Sequence, residues 1–161
     1  MSMKLLNTIS IILEEQTTNV PLVFVAKKWF PGNRYGEFRQ RYNGGKGGYH
    51  NSNDIAMGVG TPVYAPHSGY VTVNKNTSDC GYLLDIGKKT DNYFSRFCHL
   101  TGFAVTNGQW VNAGDLVGFS GGGKESAGKG NSMGAHLHWN FKVKGKDTDP
   151  YDGYLSPERL P

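Results

Sequence analysis

The chain has 161 residues, a formal net charge of +4, 23 glycines, 9 tyrosines and 8 phenylalanines. That length suits one domain with a real core, and glycine alongside aromatic residues favours short strands joined by tight turns. The mild basic excess suits a polyanionic partner such as a bacterial wall, but no dense Lys/Arg cluster with interleaved aromatics appears, so a nucleic-acid partner is excluded.

In chain order, residues 1–20 read as an N-terminal leader or attachment segment, and residues 21–161 as the domain. Lys4 precedes an apolar run from Leu5 to Leu13, but Asn7, Thr8 and Ser10 interrupt it and Glu14 and Glu15 follow. No small-x-small cleavage site appears, so the run reads as a short helix or strand packed on the domain, not a signal peptide. It is too short to span a membrane. Leu22-Val23-Phe24-Val25 predicts a strand. Residues 31–49, rich in Gly, Arg and Tyr, read as a long loop approaching a site.

Beyond Asp54 the pattern is strand, turn, strand. Val63 to Ala65 is a strand closed by Pro66, His67-Ser68-Gly69 a turn, and Tyr70 to Asn74 an alternating strand. Tyr82 to Ile86 and Tyr93 to Leu100 flank the charged turn at Lys88 as a hairpin. Trp110-Val111 and Leu116 to Phe119 bracket Asn112 to Asp115 as another. Gly121 to Gly134 is a flexible Gly/Ser/Lys loop on a cleft rim. Its Gly121-Gly122-Gly123-Lys124 lacks the strand–loop–helix setting of a phosphate cradle. His136 to Val143 alternates strongly, and the tail from Asp149 is loop-like. The expected fold is mainly β: a single domain on a central antiparallel sheet, with long loops forming an open groove.

Two cysteines are present, Cys80 and Cys98. Strand alternation puts Phe97 and His99 on one face and Cys98 on the other, which makes Cys98 a poor metal ligand. The Lys88 hairpin sets Cys80 roughly opposite Cys98. A cross-strand disulfide is one reading of that placement, but in a chain without a clear export signal two buried free thiols are the expected one.

The histidines carry the chemistry. His50 and Asp54 lie four apart, His136 and His138 two apart, and His99 stands between the pairs. Two imidazoles and one carboxylate make a three-ligand zinc set with a free fourth position, which is a hydrolytic arrangement. Two further histidines then remain to move protons. In a strand His136 and His138 face the same side, so one can bind metal beside the other, while Leu137 and Trp139 point into the core. His67, in its turn, reads as structural.

His50-Asn51-Ser52-Asn53-Asp54-Ile55-Ala56-Met57, with Gly60-Thr61-Pro62-Val63-Tyr64-Ala65-Pro66, resembles the first motif of the lysostaphin-type (LytM-like) zinc endopeptidases of bacterial peptidoglycan. Arg96-Phe97-Cys98-His99-Leu100 is similar to their second motif. Gly108-Gln109-Trp110-Val111 with Ala113-Gly114-Asp115 resembles their glycine-turn segment, and Gly134-Ala135-His136-Leu137-His138-Trp139 their His-x-His strand. The resemblance runs from about Trp29 to Leu155 in the family's order. It implies Zn2+ held by His50, Asp54 and His138, with His99 and His136 as catalytic histidines. Ser52 stands where the family commonly has Gly, and Phe97-Cys98 where a Tyr-containing pair precedes the histidine. Tyr35, Tyr42 or Tyr49 could supply the missing hydroxyl from the upstream loop.

The implied activity is hydrolysis of a peptide bond in a peptidoglycan stem or cross-link. The rivals are a wall-binding module that retains zinc for folding and a zinc peptidase of a glycine-rich protein. With no clear signal peptide and no room for a wall-targeting domain, the expectation is a phage lysin or tail-associated enzyme, virion-borne or released by lysis. A secreted enzyme whose signal lies outside this sequence fits equally. Asn33 and Asn43 could by position belong to an inhibitory segment covering the zinc, but a solvated loop residue is the expected reading for each.

Overall fold

The computed structural model describes residues 20–30, 35–40, 42 and 45–161. Apart from Val20 the leader lies outside them, as do Asn33 and Asn43. Twelve strands and no α-helix are found among the described residues, and no helix there is long and apolar enough to cross a membrane.

Every strand pairing is antiparallel. The main sheet runs β12(Lys146–Asp147), β11(Leu137–Val143), β7(Tyr93–Cys98), β6(Gly81–Ile86), β5(Gly69–Thr77), β9(Trp110–Val111), and β3(Asn53–Ile55) also pairs with β11. A second sheet orders β4(Pro62–Tyr64), β10(Leu116–Phe119), β8(Gly102–Phe103), and β1(Phe38–Arg39) pairs with β2(Gly48–Tyr49). Alternation along β11 buries Leu137, Trp139 and Phe141 and turns His138, Asn140 and Lys142 to the other face. Leu84, Ile86, Phe97 and Val71 of the main sheet meet Val63 and Val117 of the second in one core. Each such side chain contributes about 1.5–3 kcal/mol on burial.

Three expectations need correction. Residues 21–30 form no strand and bend at residues 25–28, because their backbone bonds go to different neighbours. Leu22 N–H donates to Tyr154, Val23 to Pro66 and Phe24 to Arg159, while the Val25 carbonyl accepts from Tyr64. The segment is held by packing instead, with Phe24 and Trp29 rings 4.5 Å apart and Trp29 and Tyr151 rings 5.4 Å apart. Second, the Asn112–Asp115 turn forms, but its flanks are not a hairpin. β9 joins β5 and β10 joins β4 and β8, so the turn carries the chain between sheets. Third, Cys80 and Cys98 are disulfide-bonded across a separation of 18 residues. Both lie at the groove end of β6 and β7, where the His99 N–H donates to the Cys80 carbonyl at 2.8 Å. Closing a loop of that size stabilises by about 3 kcal/mol.

His67 is structural, as expected, and buried. Its Nδ1 donates to the Ser68 carbonyl (3.1 Å), leaving Nε2 to accept from the Ser95 hydroxyl (2.9 Å), whose oxygen accepts from Trp139 Nε1 (3.0 Å). This network needs a neutral ring. Burial lowers the His67 pKa despite the Ser68 bond and the Asp91 charge. In the unfolded chain the ring takes its proton near pH 6.5, roughly its free value, but in the fold only at lower pH. Between those points the unfolded state holds more protons, so the fold weakens as pH falls, and the loss is complete below the folded pKa. Thermal midpoints from pH 8 to pH 5, taken for wild type and His67→Gln, are expected to show a flatter dependence in the variant. Parallel profiles would place the pH dependence in other groups.

Candidate metal centre

β3 and β11 carry the centre. Their register pairs Asp54 with His138, so both side chains rise from the same face at adjacent positions. His50 precedes β3 and is pinned through its backbone. Its N–H donates to Glu37 at 2.8 Å and its carbonyl accepts from Gly36 at 2.6 Å. The intervening turn is fixed by Asn140, whose Nδ2 donates to the Asn51 carbonyl (2.7 Å) and to Asp147 (2.9 Å). Ser52, where a glycine was the comparison, does not adopt positive φ, so the turn requires no glycine there.

His99 reaches the site by a route that alternation hides. Cys98 pairs with His138 and faces the groove, whereas Phe97 pairs with Trp139 and is fully buried. His99 should then fall on Phe97's face. Instead it adopts φ 63°, a left-handed conformation that breaks the alternation and turns its ring toward the groove. Such conformations cost about 1–3 kcal/mol outside glycine and cluster at functional sites. The expectation that Phe97 and His99 share a face, with Cys98 opposite, is therefore reversed.

All five anticipated residues converge. Asp54 Oδ1 lies 2.9 Å from His138 Nδ1, 3.5 Å from His50 Nε2 and 3.6 Å from His136 Nε2. The His99 ring centre is 5.0 Å from that of His136 and 5.6 Å from that of His138. Two groups place one ligand atom per residue within 4.8 Å of each other: His50, Asp54 and His138, and His99, His136 and His138. The donor chemistry fits zinc. Imidazole nitrogens and a carboxylate oxygen suit this ion. Only the first trio includes an anion to offset the ion's charge.

The electrostatics keep Asp54 ionised. Burial pushes its carboxyl pKa up, but hydrogen bonds from His138 and Arg39, with the His138 and His50 charges, hold it well below the usual carboxylate range. His99 is pushed down to about 4 by burial and by the neighbouring His136 and His138, against the pull of the Lys129 carbonyl and Asp54. It is therefore neutral at pH 7.

His136 is held by the 121–134 loop. Its Nδ1 donates to the Gly134 carbonyl at 2.8 Å, which leaves the lone pair on Nε2, facing Asp54. Ser132 Oγ stands 3.3 Å from the same Nδ1 and reaches the Gly122 and Gly134 carbonyls at 2.9 and 2.8 Å. Gly121 and Gly122 are buried, not the flexible rim expected. Gly121 bridges His136, and a Cβ there would collide with the His99 carbonyl. Gly122 has φ 75° and would meet Ser132 Oγ at 2.8 Å.

Asp54, His99, His136 and His138 line a groove of about 950 Å³, together with Arg39, Tyr42, residues 131–135 and the Cys80–Cys98 disulfide. Of the three tyrosines considered, Tyr42 lines the groove. Tyr49 is 73 % exposed against Phe38, and Tyr35 lies near Asp147 and Asp149, where burial and those charges raise its pKa. Sequence reading missed Arg39 and Ser132. Arg39 lay in a segment taken as loop, and its only local signal was a two-residue spacing from Glu37.

The sequence profile of Peptidase family M23 matches residues 48–150. The peptidoglycan DD-endopeptidase ShyA of Vibrio cholerae is 35 % identical over 100 residues, covering 62 % of this chain and 22 % of ShyA. The catalytic domain of the antimicrobial peptidase lysostaphin from Staphylococcus simulans superposes with a TM-score of 0.62 at 27 % identity, covering 79 % of this chain and 93 % of that domain. A zinc-containing peptidase from Vibrio cholerae gives a TM-score of 0.62 at 25 % identity, covering 86 % of this chain and 40 % of the other. The chain thus spans about a fifth of the length of the ShyA it matches.

Proposed function

The chain belongs to peptidase family M23, and from that premise we propose that it is a zinc-dependent endopeptidase that hydrolyses peptide bonds in the stems or cross-links of peptidoglycan. The observation that carries the reading is the convergence of buried His50 Nε2, Asp54 Oδ1 and His138 Nδ1, with Asp54, His138 and two further imidazoles lining an open groove. His50, Asp54 and His138 would hold the zinc. Bound there, it supplies a Lewis acid for the scissile carbonyl and acidifies water toward a pKa of about 7.

The side chains do the rest. His136 Nε2, its lone pair set by the Nδ1–Gly134 bond, takes the proton of the attacking water and returns it to the departing amine. His99 stays neutral and hydrogen-bonds the reacting groups from beside His136. Tyr42 donates its hydroxyl hydrogen to the carbonyl oxygen as negative charge builds there. Glycine or D-alanine linkages are the substrate proposed, since the open groove is lined on the 131–136 segment by small residues such as Ser132, Gly134 and Ala135. ShyA, named a DD-endopeptidase, and lysostaphin, named an antimicrobial peptidase, support wall peptides as substrate. Delivery by a phage, as a lysin or a tail-associated enzyme, is the narrower proposal. It requires the purified domain to lyse intact cells from outside.

The test pairs zinc content with digestion of purified walls of several cross-link chemistries. One zinc per chain, new amino termini from at least one wall type, loss with a chelator and recovery with zinc are expected. A protein that holds zinc, sediments with walls and cuts none of them is a binding module instead. Cleavage of a glycine-rich polypeptide but of no wall would move the substrate to protein.

A further inference from the structure

We infer that Arg39 is a positioning residue that sorts the two oxygens of Asp54 and sets the hydroxyl of Tyr42 through a single guanidinium. The inference rests on the reading of Asp54 as a zinc ligand.

Arginine offers only donors, in a rigid fork. Arg39 Nη2 donates to Asp54 Oδ2 at 2.8 Å, and Nη1 donates to the Tyr42 hydroxyl oxygen at 3.2 Å. Nε and Nη2 donate to Glu37 Oε2, each at 3.2 Å, from the outer side. The side chain is 12 % exposed and that of Asp54 is 16 % exposed, so neither is merely solvated.

Two consequences follow from donor and acceptor chemistry. With Oδ2 taken by Arg39, Oδ1 is the oxygen left facing His50, His136 and His138. Because the Tyr42 oxygen accepts from Arg39, the Tyr42 hydrogen is directed to another partner. Tyr42 lines the groove, so a substrate oxygen is in its reach. One cation thus orients a metal-binding carboxylate and a groove donor together.

The local fold explains how Arg39 gets there. In the β1–β2 pair, Phe38 stands opposite Tyr49 and Arg39 opposite Gly48. Alternation sends Phe38 and Tyr49 outward, 53 % and 73 % exposed with ring centres 5.4 Å apart, and Arg39 inward. A lysine at this position would present one point charge and could not hold both partners in a fork.

The experiment reads the carboxylate and the tyrosine separately. Zinc affinity, by competition with a chromophoric chelator, and the visible spectrum of the Co2+-loaded protein report on Asp54 without hydrolysis. Arg39→Ala is expected to bind zinc about 10–100-fold more weakly, the usual cost of losing a residue that orients a ligand. Its Co2+ bands should shift, and added guanidinium should recover part of the affinity. Arg39→Lys should keep most of the zinc affinity but lose the setting of Tyr42. Tyr42→Phe should then lower kcat in the wild-type background and change little in the Arg39→Lys background.

Unchanged zinc affinity and Co2+ spectrum in Arg39→Ala, or fully additive kcat losses in the double variant, would overturn the inference. If Arg39→Ala does not fold, the Arg39→Lys cycle decides it. Such results beside a wild type that holds zinc and cuts walls remove this inference alone. A wild type that holds no zinc removes the reading of the site with it.

Discussion

Asp54→Ala is expected to lose zinc and hydrolysis together. Asp54 is the one anion in its trio, and its Oδ1 stands within 3.5 Å of the other two ligand atoms. Alanine leaves two neutral imidazoles against a divalent cation. Structural zinc sites with four ligands bind with about 10–16 kcal/mol, so one ligand is worth about 3 kcal/mol, roughly a hundredfold or more in affinity. The variant also leaves the Arg39 guanidinium at the centre with only Glu37 and Tyr42 as partners, which repels the ion further. Two readouts check this: metal content after dialysis, and the rise in thermal midpoint on adding zinc, which mass action ties to affinity. Both should collapse, with hydrolysis below detection. An Asp54→Ala protein that still holds one zinc per chain would move the site to His99, His136 and His138, the other trio that shares His138.

His136→Ala should separate metal from chemistry. The ring lies outside the first trio, and its Nδ1 is committed to Gly134, so removal leaves His50, Asp54 and His138 in place. What disappears is the lone pair that the Gly134 carbonyl orients at the proposed reacting position. General-base catalysis of this kind contributes about 10²–10⁴-fold, so kcat should fall by that factor with KM little changed and zinc retained. The comparison with Asp54→Ala matters most: one variant loses activity with its metal, the other without losing it. Zinc loss in His136→Ala would make that residue a ligand and overturn its role as base. His99→Ala, which removes a neutral ring with a pKa of about 4, should cost less.

Much of the site was legible in the sequence because its signals are local. A strand places alternate side chains on opposite faces by backbone geometry alone. So His136-Leu137-His138-Trp139 already determined which histidines stand together and which residues enter the core, and the fold agrees. The short strands and the Lys88 hairpin followed from the same local rules.

Tertiary structure decided everything that depends on a partner far along the chain. No local pattern announces that β9 and β10 part into different sheets, since pairing energy depends on what lies alongside. The Lys88 hairpin already set Cys80 roughly opposite Cys98, but that the two sulfurs come close enough to bond was decided by the fold. His99 departs from alternation through a single left-handed residue, next to the disulfide end of the hairpin and against the close approach of Gly121. Arg39 is the clearest case. Its guanidinium matters only because Asp54, 15 residues later, and Tyr42 fold against it. Side-chain periodicity is a property of the local backbone and is written in sequence; hydrogen-bond partnership is a property of three-dimensional proximity and is not.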